Sequence, residues 1–87
     1  MSKHKINGEK WTFDITEKGC CRSHYGSTWH ADRSIVISPN QSKKQMMNTI
    51  IHEVLHASFP QINEANIKNA ADSCTEILRK YKKKWRK

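Results

Sequence analysis

Three residues in one short stretch have the types and spacing that hydrolytic chemistry uses: His52, Glu53 and His56, within His52-Glu53-Val54-Leu55-His56. Side chains four apart on an α-helix share one face, with Cβ atoms about 6 Å apart, so both imidazoles can reach a single metal ion. The intervening carboxylate sits beside such an ion. There it can take a proton from a water that the metal polarises. The pattern fixes only three positions, so the surrounding elements must supply the rest of the argument.

Ser42-Lys43-Lys44-Gln45 matches a capping box and predicts a helix from there to about Ser58. At 100° per residue Met46, Met47, Ile50, Ile51, Val54 and Leu55 share one half of its circumference, and Gln45, Thr49, His52 and His56 share the other. The histidines are therefore expected off the core, facing solvent or lining a cleft, and the motif's Glu53 favours the cleft. Pro60 stops the helix, and Asn63 is a suitable N-cap for a second one, from Glu64 into the basic tail. Its expected inward face carries Ile67, Ala70, Ala71, Cys74, Ile77, Leu78, Tyr81 and Trp85, with Glu64 at the edge and Asp72 and Glu76 pointing away.

Two histidines leave a tetrahedral zinc short of a third protein ligand, the fourth position being kept for water. Glu64 is the first choice, because a helix that doubles back to bury its stripe returns its first turn to the neighbourhood of His56. Asp72, Glu76, His24 and His30 remain alternatives. A carboxylate in the first turn also complements the helix dipole without any metal.

Upstream, Asn7-Gly8 between extended segments predicts a type I′ hairpin with strands at about 2–6 and 9–16, Trp11, Phe13 and Ile15 facing the helices. Residues 17–26 lack a period and read as loop. Cys20, Cys21 and His24 in it are metal-competent types, but no CxxC accompanies them and ordinary packing or an exposed thiol is the simpler role. Strands at 27–30 and 33–38 around an Ala31-Asp32 turn complete the sheet, and Pro39-Asn40 ends it. If the 33–38 strand is the sheet edge over the helix, an extended substrate backbone can pair with it. Tyr25 and His30 are types suited to donate to an oxyanion.

With 87 residues the chain allows one domain with a modest core, which a bound metal would help to hold together. No run of 18 apolar residues and no apolar leader occurs, so no membrane partner and a cytoplasmic location are expected; three cysteines, an odd count, fit a reducing compartment. Lys and Arg number 16 against 8 acidic residues, a net charge of +8, concentrated from Arg79 to Lys87 (RKYKKKWRK). This segment can make a weak nucleic-acid contact or meet an acidic partner, or it is simply a solvated helix end. Oligomeric state is not written in the sequence.

Ile35-Val36-Ile37, a short polar gap, and then Met47-Asn48-Thr49-Ile50-Ile51-His52-Glu53-Val54-Leu55-His56-Ala57 resemble the strand and active-site helix of minimal zincin-type metallopeptidases. The nearest groups are the SprT-like and ImmA/IrrE-like families, with their short phage-encoded members. The similarity spans about residues 25–78, and only HEVLHA in it is highly specific. It implies a three-stranded or larger sheet packed on the HExxH helix, in line with the α+β fold that the residues predict, a small antiparallel sheet of N-terminal hairpins packed against the HExxH helix and a C-terminal helix. It further implies Zn2+, hydrolysis of a protein or peptide substrate, and, for a phage protein, the host cytoplasm. His52 and His56 carry over as metal ligands, Glu53 as general base, and Glu64 as the acidic ligand after the turn. Phe59 and Ile62 stand where metzincins place Gly and a third His, which argues against that subgroup. Two other readings share the same residues: a basic, zinc-stabilised nucleic-acid-binding module, and a catalytically silent zincin-like protein that binds and inhibits a protein partner.

Overall fold

A computed structural model describes residues 1–17 and 25–86; the Cys20, Cys21 and His24 readings lie outside these. The fold is α+β. Strands β1 (Ser2–Ile6), β2 (Glu9–Ile15), β3 (Gly26–Trp29) and β4 (Ser34–Ile37) precede helices α1 (Lys43–Ser58), α2 (Glu64–Lys80) and the short α3 (Lys82–Trp85). Asn7 and Gly8 both take positive φ, 53° and 78°, as the two-residue turn between β1 and β2 requires. The Asn7 side chain also donates to the Ser58 carbonyl at 2.6 Å, satisfying one of the free acceptors at the end of α1.

The sheet order is β1-β2-β4-β3. Two pairings are antiparallel; β2 and β4 run parallel, so the sheet is mixed where wholly antiparallel strands were expected. One consequence concerns the edge. β4 lies inside the sheet, paired on both sides, and the edge beside α1 is β3, which corrects the expectation for residues 33–38. Ile35 and Ile37, flanked by apolar neighbours on β2, are among the least exposed side chains, and an interior strand suits such a pair. Register sets Phe13, Ile35 and Thr28 side by side, and Ile15, Ile37 and Gly26 in the next row, on the face that α1 covers.

Helix α1 starts as predicted: Ser42 accepts from the Gln45 backbone N–H at 3.1 Å. Only half of the box forms, since the Gln45 side chain turns to Thr49 Oγ1. The phase of α1 differs from the expectation. Its buried residues are Thr49, Glu53 and Ala57, and Met46, Ile50 and Val54 pack beside them against the core of Trp11, Ile35 and Ile37. A helix serving two partners on roughly opposite sides has no single apolar half to bury. The sheet takes the 46/49/50/53/57 side and α2 takes the side of Asn48, leaving His52 and His56 in the gap between them.

Helix α2 buries Ile67, Ala71 and Thr75, a line that also contains Glu64 by phase. Ala70, Cys74, Ile77, Leu78, Tyr81 and Trp85 are exposed, Ile77 by 58%, contrary to the expected inward face. Two causes act. The buried line of Ile67, Ala71 and Thr75 is rotated from the expected one, which turns Ala70, Cys74 and Ile77 away from α1. Because α2 runs antiparallel to α1 with Thr75 opposite Asn48, Tyr81 and Trp85 lie past the start of α1 at Lys43. The rotation that buries Thr75 also carries Asp72 and Glu76 toward the cleft instead of away from it.

Candidate metal centre

His52 and His56 lie one turn apart on α1, partly buried, with 18% and 24% of their side chains exposed. Glu64 reaches them from the first turn of α2, after the five-residue link that Pro60 interrupts. The Nε2 atoms of the two histidines are 3.1 Å apart; Glu64 Oε1 is 2.8 Å from His56 Nε2 and 3.3 Å from His52 Nε2, and Glu64 Oε2 is 2.8 Å from His52 Nε2. Zinc held by bonds of about 2.0–2.1 Å in a tetrahedron separates its ligand atoms by about 3.3 Å, so this triangle has nearly the size the ion needs. The chemistry fits as well. If each imidazole carries its proton on Nδ1, three lone pairs converge with nothing between them, an arrangement that a cation relieves. Among the described residues no other group of three His, Cys, Asp or Glu gathers this closely.

The alternative ligands are elsewhere. His30 lies beside the site, its Nε2 at 3.2 Å from the His56 carbonyl oxygen and its ring edge-on to Trp11 at 5.5 Å. A carbonyl only accepts, so this nitrogen carries the proton and is spent on the backbone of α1. Glu76 lines the cleft further along, and Tyr25 lines its rim next to Gly26. Asp72 accepts from Asn48 Nδ2 at 2.9 Å and from Lys68 Nζ at 3.1 Å. These two bonds, Asn48 first and then Lys68, hold its carboxyl below the ordinary value of 3.8. A depressed folded pKa contributes stability above the unfolded value, which is lost as pH falls through the folded one. The melting temperature of the protein is therefore expected to exceed that of Asp72→Asn near neutrality, and the gap to close as pH is lowered below 3.8, measured with a chelator present so that metal loss does not overlay it.

Glu53 faces the same cleft but points at β3. Only 9% exposed, it accepts a 2.7 Å hydrogen bond from Thr28 Oγ1 on one carboxylate oxygen. Sequence reasoning missed this partner. It also missed Gly26, which lets α1 approach the strand. A Cβ there would stand 2.8 Å from Thr49 Cγ2, 3.0 Å from Glu53 Cγ and 3.1 Å from Ile37 Cδ1. Thr49 cannot yield easily: it is buried, β-branched, and donates to Gln41 Oε1 at 2.9 Å, while Gln41 Nε2 donates to the Ser38 carbonyl. Gly26→Ala is thus expected to destabilise the fold by about 1–3 kcal/mol in denaturant titrations, the cost of overpacking a fitted site. A glycine two residues from a threonine was the available signal, because glycine inside a strand often marks a close approach.

No protein-family model, no curated protein and no solved structure matches the chain. Among the described residues no helix is long and apolar enough to cross a membrane.

Proposed function

We propose that the protein is a small zinc-dependent peptidase, with His52, His56 and Glu64 holding the ion and Glu53 moving the proton. The observation that carries this reading is the convergence of two imidazole nitrogens and a carboxylate oxygen beside a second, separately anchored carboxylate. A zinc ion bound there supplies Lewis acidity to a carbonyl oxygen and acidity to the attacking water. Glu53 accepts the proton that this water sheds and returns it to the departing amine. Its bond to Thr28 fixes one oxygen, so the carboxylate meets the reacting atoms without first searching rotamers.

Peptide is the natural substrate because β3 is an edge strand running alongside the site. Its free edge offers main-chain groups to an extended backbone. Thr28 touches Glu53 and His30 touches His56, so a chain paired there passes over the ligand triangle. A zinc-stabilised nucleic-acid module would use the same three ligands but gives Glu53 and the strand edge no task. The deciding experiment incubates zinc-loaded protein with a mixture of unstructured peptides and reads products by mass spectrometry; cleavage that chelation and Glu53→Gln both remove supports the proposal, and no cleavage by the zinc-loaded protein refutes it.

A further inference from the structure

The cleft continues past the histidines toward the N-terminus of α1, between β3 and α2, and its far end is lined by Lys44, Arg79 and Lys80. Asp72 and Glu76 stand on the same wall. Asp72 is neutralised within it by Lys68, 3.1 Å away, and Glu76 offsets one cation, which leaves the far end positively charged. Lys82, Lys83 and Lys84 follow directly in α3 and add to that field. At the other end, Glu53 and Glu64 would balance the charge of a bound divalent ion. The cleft is neutral where a bond would be cut and basic further along.

Resting on the peptidase reading, we infer that the substrate carries acidic side chains on the C-terminal side of the cleaved bond, selected by Lys44 and Arg79. Direction follows from β3, which runs along α1 with Gly26 against Thr49, Thr28 against Glu53 and His30 against His56. A peptide antiparallel to β3 sends its C-terminal residues toward Lys44. Spacing follows from the helix. Eight residues from His52 back to Lys44 span about 12 Å at 1.5 Å each, the length of three to four extended residues. A nucleic acid fits less well, because its evenly spaced phosphates would lie against Glu53, Glu64 and Glu76 along the whole cleft.

The test uses zinc-loaded Glu53→Gln protein, which binds without consuming the ligand, and ten-residue peptides bearing a neutral fluorophore. Peptides with Glu in the C-terminal half are expected to bind about five- to tenfold more tightly than those with Lys there or with Glu in the N-terminal half, a size that two partly exposed ion pairs supply. In a Lys44→Glu/Arg79→Glu double variant the preference should invert toward the Lys peptide, a gain that misfolding cannot mimic. Equal binding of all peptides overturns the inference. So does a preference for an acidic N-terminal half, a preference untouched by the double variant, or tighter binding of a single-stranded oligonucleotide of equal charge through the same two residues. Failure of the peptidase reading is seen separately, as absent cleavage by the unsubstituted protein while the binding preference persists.

Discussion

Glu53→Gln is expected to leave the fold and one bound zinc in place while lowering peptide hydrolysis by about 10²- to 10⁴-fold, the range for removing a positioned acid–base group. The substitution is nearly isosteric, which matters at a site only 9% exposed and within touching distance of β3. Glutamine keeps a side-chain oxygen that can accept the Thr28 hydroxyl, so the 2.7 Å contact survives and stability should change little. What it loses is the capacity to take a proton. The experiment pairs product formation with a melting curve and metal analysis on the same preparation. If Glu53 serves only as the buried acceptor that fastens Thr28, the variant will match the parent in every measurement, and where neither preparation cleaves, the silent, partner-binding reading gains. Retained hydrolysis would sink the catalytic role outright.

What could be read from the chain divides along a physical line. Elements set by local chemistry were legible: the Asn7-Gly8 hairpin, the Ser42 and Asn63 caps, the stop at Pro60, and the helical spacing of His52 and His56. Each depends on a few adjacent residues and on backbone preferences that hold in any context. Helix phase was not legible in the same way. The apolar residues of α1 suggested one buried half, whereas a helix between a sheet and a second helix buries Thr49, Glu53 and Ala57, two of them polar, because Gly26, Thr28 and Gln41 are there to receive them. Those receivers lie outside α1, on segments whose pairing is long-range. For the same reason the interior place of the strand of Ile35 and Ile37, considered from sequence as a possible edge, was not legible: its pairing with β2 on one side and β3 on the other is long-range.

The candidate site stood between these cases. Glu64 was reached from the requirement for a third ligand and the need of α2 to fold back, and its place on the buried line of α2 with Ile67, Ala71 and Thr75 brings it to both histidines. Thr28 was missed because a threonine in a short strand has no pattern until its register with α1 is known. Register, in a sheet, decides which face every second residue takes.

Zinc is expected to bind at one equivalent and to be lost in His56→Ala, and its binding should raise the melting temperature by about 15 °C or more. The argument is one of linkage. Glu64 stands at the first turn of α2 and its partners stand on α1, so an ion between them ties the two helices together. An ion that binds only the folded chain stabilises it by about 4 kcal/mol at a thousandfold excess over its dissociation constant. For a domain of this size each kcal/mol is worth about 4–8 °C. His56→Ala removes one corner of the triangle and should abolish both the bound zinc and the thermal gain, leaving a chain whose melting curve no longer responds to chelator. Glu64→Gln separates the ligand question from the rest: it keeps the size of the side chain, gives up the anionic oxygen, and should weaken zinc binding at least tenfold if that oxygen is the third ligand. Full zinc affinity in Glu64→Gln would move the third ligand elsewhere, and an unsubstituted protein that binds no zinc would reduce the triangle to two histidines sharing protons with a carboxylate.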